Sequence, residues 1–426
     1  MIAHIYKKFK ASTGICTDSR AMDGGKLFFA LKGPNFNANA FAQKALEQGA
    51  IAVVIDERAY EIPGKTILVG DSLSALQELA RYHRQQLHIP FIGITGSNGK
   101  TTTKELMHGV LAAHYNTFAT KGNLNNHIGV PLSVLSVTAA HEMAIIEMGA
   151  NHIGEIAHLS SICQPDYGLI TNIGKAHTGL FGGFEGVVRA KSELYDYLIK
   201  NQGTVFINQN QTILMNMSKR FANPVFYPND GSYCPCALLE ADPFVKIKTE
   251  SGKHVQTQLM GSYNFDNIAT ALCVGKFFDV PEDKAAMAVA SYTPENNRSQ
   301  IITQGSNTII LDAYNANPSS MEKALENLAQ MKAKNKVAIV GDMYELGDDT
   351  QTEHEAIGKL IRSLRIDVAI FCGAHMKDAW EVMNGGHYFE DKEKLMAFLT
   401  ENKFHESTIL IKASRGMALE GVVDFL

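Results

Sequence analysis

The stretch GITGSNGKTTTKEL, residues Gly93 to Leu106, follows the apolar run Ile89-Pro-Phe-Ile92 and decides the fold. A short buried strand that breaks into glycines and restarts as a helix is a phosphate cradle. Glycines let backbone N–H groups converge on an anion, and the new helix adds its positive N-terminal end. Lys100 is placed to reach the outer phosphates of a nucleotide, and the Thr101 hydroxyl to hold Mg²⁺. The spacing departs from the general form G-x-x-x-x-G-K-[ST], because Ile94 stands where the first glycine belongs. What is present is shorter: Thr95, then Gly96, Ser97, Asn98, Gly99, Lys100, Thr101 and Thr102. Strand, loop and helix in this order predict an ATP-binding α/β domain, against the alternative of a chance Gly-rich turn.

A chain of 426 residues is too long for one compact core and implies two or three domains. Its 39 basic and 44 acidic side chains leave a formal net charge of −5, so no basic surface and no nucleic-acid partner are expected. The start, MIAHIYKKFKASTG, has basic clusters but no long apolar core and does not read as a signal peptide. No stretch reaches membrane-spanning length, so no stable membrane insertion is expected. Six cysteines are too sparse for a disulfide scaffold, and Cys234-Pro-Cys236 reads as a turn rather than a metal site. The expected address is the cytoplasm, and a monomer is the default.

Three blocks follow one another, with expected boundaries at 1–85, 86–296 and 297–426. In the first, Leu27-Phe-Phe-Ala30 and Ile51-Ala-Val-Val-Ile55 predict strands. Phe41 to Gln48 predicts a helix closed by Gly49, and Ser74 to Gln86 a second helix. In the second, Ala144-Ile-Ile146 and Tyr167-Gly-Leu-Ile-Thr171 predict strands alternating with helices at Ile128–Val137 and Val187–Ile199. Residues 203–258 predict a decorated or antiparallel edge to that same sheet, before an apolar helix at Asn267–Phe277. In the third, Thr308–Leu311, Val337–Val340, Val368–Phe371 and Thr408–Ile411 are similar apolar runs, three of them separated by helix-length segments. That is the pattern of a doubly wound parallel sheet.

Candidate chemistry sits where strands end, the place where open α/β sheets bind ligands. Glu147, after Ala144-Ile-Ile146, suits Mg²⁺ beside a phosphate loop, or is a solvated edge carboxylate. His177 lies in a Gly-rich loop and suits a metal, a phosphate or a purely structural hydrogen bond. His152 and His158 are less specific. Lys191 falls on a predicted helix, where a basic face is the plain reading. Asn264 and Asn267 precede an apolar helix and suit an amide contact or a cap. Asp312 suits ribose hydroxyls or an Asx turn, and Pro318 opens a helix after it.

Together these segments resemble the Mur ligase superfamily. The marks are CTDSR at 16–20, FFALKG at 28–33, TGSNGKTTTKE at 95–105, GNLNNHIGVPL at 122–132 and EMGANHIGEI at 147–156. TNIGKAHTGLFG at 171–182, AKSEL at 190–194, DAYNANPSSM at 312–321, GDMYELG at 341–347 and KASRGM at 412–417 complete them. The resemblance implies a small N-terminal α/β domain, a central P-loop ATPase-like domain with a mostly parallel sheet, and a C-terminal Rossmann-like domain. It implies amide formation driven by ATP with Mg²⁺, two ions being expected. Within the superfamily, TTTKE and YNANP point to the branch whose substrates are UDP-N-acetylmuramoyl-tripeptide and D-alanyl-D-alanine. Alternatives are a sister ligase adding a single amino acid, or a nucleotide-binding regulatory protein without ligase activity.

The resemblance also implies residue roles. Lys100 grips ATP, Thr101 and Glu147 hold one Mg²⁺, and His177 serves the second. Lys191 is carbamoylated, which turns a cation into an anion able to bind metal. Asn264, Asn267, Arg298 and Asp312 contact the nucleoside. Thr17, Asp18, Ser19, Arg20, Lys32 and Gly33 line the UDP-muramoyl site. Asn123, Asn126, Tyr314, Asn317, Lys412, Ser414 and Arg415 contact the peptide or the incoming amine. Three places depart from the pattern: Tyr263 replaces a His, Ala413 replaces the Gly of KGSR, and the segment Asn35–Phe41 lacks the usual Gly-His.

Overall fold

The computed structural model describes residues 1–176, 178–295 and 297–426, so His177 lies outside the described residues. Three α/β units follow one another. The first holds a parallel sheet in the order Ile15–Cys16, Leu27–Phe29, Ala52–Ile55, Thr66–Leu68. The short hairpin Lys32–Gly33/Phe36–Asn37 stands beside it. The central unit holds six parallel strands in the order Val225–Tyr227, Thr204–Asn208, Tyr167–Ile170, Phe91–Thr95, Met143–Glu147, Thr117–Ala119. Phe91–Thr95 and Met143–Glu147 are buried at every position, as strands covered by helices on both faces must be.

The third unit bears out the doubly wound pattern of its four apolar runs. Its order is Gln300–Gln304, Asn307–Asp312, Ser407–Lys412, Asn335–Gly341, Val368–Cys372, His387–Phe389, with only the first strand antiparallel.

Residues 203–258 differ from expectation. Thr204–Asn208 and Val225–Tyr227 extend the central sheet in parallel, while Ala237–Glu240, Phe244–Lys248 and His254–Met260 form a separate antiparallel sheet. The reason is their pattern. His254–Met260 alternates exposed and buried positions, and Val245, Ile247, Val255 and Leu259 face a core shared with the helices Asn264–Phe277 and Glu282–Ser291. One apolar face suits a sheet laid on helices, not a strand buried on both sides.

The helix Ser72–Arg84 joins the first two units. Asp71 caps it through Ser74 N–H, and it packs on the central helices Gly129–Leu135 and Glu155–Cys163. Arg84 is the anchor. Its guanidinium donates to Cys163 O at 3.0 Å, Leu87 O at 2.9 Å and the Asp166 carboxylate at 2.9 Å, and it lies 4.0 Å from the Phe91 ring centroid. Asp166 also accepts from Phe91 N–H. Among the described residues no helix is long and apolar enough to cross a membrane.

Arg84→Met keeps the apolar stem but strips these carbonyls and Asp166 of their donor. Thermal and urea unfolding are expected to show a loss of roughly 2–4 kcal/mol.

Candidate active site

The phosphate loop is built at the end of the central strand Phe91–Thr95 and opens the helix Lys100–Ala112. Two glycines there have no substitute. Gly96 has φ +146° and a Cβ on it would fall 2.0 Å from Thr171 Oγ1; Gly99 has φ +77° and its Cβ would fall 2.7 Å from Asn267 Oδ1. The loop between them is held by its neighbour strand. Ser97 N–H donates to Asn172 O, Asn98 N–H to Asn172 Oδ1 at 3.1 Å, and Asn98 O accepts from Thr171 Oγ1 at 2.7 Å. The Lys100 ammonium is folded onto the loop, donating to Gly96 O at 2.7 Å and Ser97 O at 3.2 Å. Burial pulls its pKa down; the Glu147 carboxylate opposes this and Arg298 adds to it.

Glu147 ends the strand Met143–Glu147 and is 1% exposed, so the solvated-edge alternative fails. Its carboxylate accepts from Thr101 Oγ1 at 3.0 Å and Asn125 Nδ2 at 2.8 Å, with the Lys104 ammonium 4.0 Å away. Lys104 is itself buried and donates to Thr120 O, while Thr120 Oγ1 accepts Glu147 N–H.

Around these groups lies a cavity of about 460 Å³. Central residues Ser97 to Thr102, Asn126, Glu147 and Glu155 face Tyr263, Asn264 and Asn267 across it. Arg298, Asp312, Tyr314, Asn317 and Lys412 of the third unit complete the wall. The amides of Asn264 and Asn267 are chained: Thr103 Oγ1 donates to Asn267 Oδ1, Asn267 Nδ2 to Asn264 Oδ1, and Asn264 Nδ2 to Met260 O. Asp312 accepts from Lys412 Nζ at 2.6 Å and from Ser299 N–H at 3.1 Å, and Tyr263 OH meets Ser299 Oγ at 3.1 Å. The Arg298 guanidinium stacks 3.6 Å from the Tyr314 ring centroid. Lys191 is 2% exposed, with Nζ 3.5 Å from the O of Ala150, a residue of the cavity wall. Burial, reinforced by the Lys100 charge, lowers its pKa from 10.5 to about 7.

Other expected residues lie elsewhere. Thr17, Asp18, Ser19, Arg20, Lys32 and Gly33 belong to the first unit and do not line this cavity. There Asp18 pairs with Arg20, and Lys32 lies 3.2 Å from Asp56. Asn39, inside the segment that lacks Gly-His, is fully buried between Asn37 and Asp56. Asn123 is exposed, whereas Asn126 does line the cavity, and its Oδ1 accepts Gly129 N–H at the start of the helix Gly129–Leu135. Ser414 is buried and accepts Tyr344 N–H, and Arg415 pairs with Glu420. The sequence reading passed over Asn125, Asn172 and Lys104; all lie inside quoted motifs, but only the fold shows which amide turns toward Glu147.

The donor set fits Mg²⁺ with a nucleotide. Four cations on the cavity wall, Lys100, Arg298, Lys323 and Lys412, face three carboxylates, Glu147, Glu155 and Asp312. That surplus of one charge cannot neutralise a triphosphate without added cations. No group of three or more His, Cys, Asp or Glu that could hold a metal occurs among the described residues. Mg²⁺ needs no such cage, since it is held by one or two carboxylates plus substrate phosphates.

Comparisons with known proteins agree with this geometry. Residues 12–84 match the Mur ligase family catalytic domain, 94–275 the Mur ligase middle domain, and 297–415 the Mur ligase glutamate ligase domain. UDP-N-acetylmuramoyl-tripeptide–D-alanyl-D-alanine ligase of Bacillus subtilis is 35% identical, the match covering 97% of this chain and 93% of that protein. The crystal structure of MurF from Acinetobacter baumannii superposes with a TM-score of 0.88 at 29% identity, covering 100% of this chain and 98% of that one. MurF ligase from Thermotoga maritima in complex with ADP gives 0.86 at 26% identity, covering 98% and 97%. The chain belongs to the Mur ligase family.

Lys191 makes stability depend on pH. Between about pH 7 and 10.5 the unfolded chain binds a proton at this lysine that the folded chain does not, so stability rises with pH through that window. Urea unfolding in CO₂-free buffer is expected to show a higher midpoint at the alkaline end, and Lys191→Met to remove this part of the slope.

Proposed function

We propose that the protein joins D-alanyl-D-alanine to UDP-N-acetylmuramoyl-tripeptide at the expense of ATP, giving UDP-N-acetylmuramoyl-pentapeptide, ADP and phosphate for peptidoglycan synthesis. It is an ATP- and Mg²⁺-dependent, amide-forming ligase. The observation that carries the reading is the cavity itself, in which a phosphate loop and a buried carboxylate face a Rossmann-like third unit. Likeness over 97% of this chain to a UDP-N-acetylmuramoyl-tripeptide–D-alanyl-D-alanine ligase, and over all of it to MurF, supports this branch over sister enzymes.

In the reaction, the terminal carboxylate of the tripeptide attacks the γ-phosphorus of ATP and ADP leaves, forming an acyl phosphate. The amine of the dipeptide then attacks the acyl carbon, and the tetrahedral intermediate expels phosphate with loss of the amine proton. Lys100 leaves its carbonyl partners to meet the phosphates, offsetting charge on the transferring oxygens. Thr101 and Glu147 hold Mg²⁺, which when bound supplies further charge neutralisation on those oxygens. Asn264, Asn267, Arg298 and Asp312 orient the nucleoside. The Asp18–Arg20 and Lys32 face of the first unit receives the UDP-muramoyl end. Lys412 and Tyr314 lie toward the amine.

Lys191 is carbamoylated in the working enzyme. A lysine amine must be neutral to take up CO₂, and a pKa near 7 supplies that form at physiological pH. The product carries a negative charge, which suits a second Mg²⁺ shared with His177. The enzyme acts as a monomer in the cytoplasm.

The test supplies ATP, Mg²⁺ and D-alanyl-D-alanine with either the lysine or the diaminopimelate tripeptide, and weighs the product. A pentapeptide formed only with both substrates is expected; ATP binding without product from either tripeptide points to a sister amine or a regulatory role. A second measurement compares turnover after CO₂ removal below pH 6 with turnover after bicarbonate is restored. Activity is expected to fall and return, and Lys191→Ala to lose at least about 100-fold with no bicarbonate response.

A further inference from the structure

Asn317 opens the helix Pro318–Gln330, and both ends of its amide are in use. Its Oδ1 accepts Ser320 N–H at 3.0 Å, the helix cap, and its Nδ2 donates to Asn98 Oδ1 at 2.8 Å. Asn98 belongs to the phosphate loop and immediately precedes the left-handed Gly99. Its backbone is pinned by Asn172 and Thr171 of the central unit, but its side-chain oxygen accepts from Asn317, of the third unit. Asn317 is 6% exposed, and its contact with the half-buried Asn98 sits in the cavity wall. Two residues on, in the first turn of the same helix, the grip is repeated: Ser319 Oγ accepts Lys175 N–H at 2.9 Å. The Lys175 ammonium in turn reaches Glu353 at 2.6 Å.

We propose that Asn317 is a positioning residue for phosphoryl transfer, clamping Asn98 so that the phosphate loop takes its working shape only when the third unit is docked. This rests on the ligase reading above. Its consequence is specific. The groups assigned to the transferring phosphoryl, Lys100, Thr101 and Glu147, belong to the central unit, so a residue of the third unit that only held the amine would affect the second step alone. Through Asn98, loss of Asn317 slows the first step, before any amine is needed. A loop displaced by a fraction of an ångström no longer presents its donors where charge develops.

The experiment uses Asn317→Ser, which keeps a helix cap but cannot reach Asn98, and Asn317→Asp, which keeps the cap and lets the Asn98 amide turn round and donate. Acyl phosphate is trapped with hydroxylamine in the absence of D-alanyl-D-alanine, and affinity for a non-hydrolysable ATP analogue is measured beside it. Asn317→Ser is expected to lower trapping about tenfold and weaken analogue binding several-fold, with the KM for the dipeptide within about twofold of wild type. Asn317→Asp is expected to restore both readouts toward wild type. Unchanged trapping and analogue binding, with a raised KM for the dipeptide, overturns the proposal and makes Asn317 an amine contact. If the wild type traps nothing while Asn317→Ser still weakens analogue binding and Asn317→Asp restores it, the clamp stands and the ligase reading falls.

Discussion

The structure depends on a loop that at two positions, Gly96 and Gly99, has no room for a side chain. Gly96 is pressed against Thr171 and Gly99 against Asn267, both with positive φ, so the phosphate loop is wedged between the end of one strand and the start of a distant helix. That wedge fixes much else. Strands Phe91–Thr95, Met143–Glu147 and Tyr167–Ile170 must end at one level to place Thr95, Glu147 and Thr171 around it. The helix Asn264–Phe277 must return to the same edge to bring Asn267 against Thr103.

Charge is handled by crowding rather than by solvent. Lys104, Lys191, Lys412 and Glu147 are withdrawn from water and Lys100 is half-buried at the cavity, a costly arrangement for any single ion. Each is met differently. Lys104 uses a carbonyl and two carboxylates, and Lys412 pairs with Asp312 and Asn315 O. Lys191 is held by one long contact to Ala150 O and by the face of Phe181, 5.3 Å away, and burial pushes it toward neutrality. The contrast separates two uses of a buried lysine: one locked by several partners, the other met by few among the described residues and pushed toward its neutral form.

Much of this was legible in the sequence because the relevant signals are local. Val337–Val340 and its sister runs read as parallel strands because β-branched apolar residues crowd into short stretches between helices, and all four pair in one sheet. GSNGKTT announced its own turn chemistry. The antiparallel sheet over 237–260 was misplaced because alternation specifies one buried face but not which surface covers it. Likewise GNLNNHIG advertised amides without saying which one reaches Glu147; that depends on a helix start at Gly129, where Asn126 caps and leaves Asn125 facing inward. Contacts such as Asn98 to Asn317, 219 residues apart, have no local signature at all.

The same contacts set how tightly the third unit holds the phosphate loop. Across the phosphate loop its grip consists of polar groups: Asn317 on Asn98, Ser319 on Lys175 N–H, and Glu353 on the half-exposed Lys175 ammonium. Gly179 and Gly347 meet backbone to backbone nearby, adding fit without apolar area. Each such hydrogen bond contributes only about 0.5–1.5 kcal/mol net, and an exposed ion pair less. Their sum is comparable to what a bound ligand adds by mass action. The apolar contact between the two units is made away from this loop, where Met260 and Phe244 join the third unit's core, so the hold on the loop itself is the weakly bonded part. Placing the grip on the phosphate loop itself, rather than at the rim, means that the ligand which tips the balance also occupies the structure being shaped.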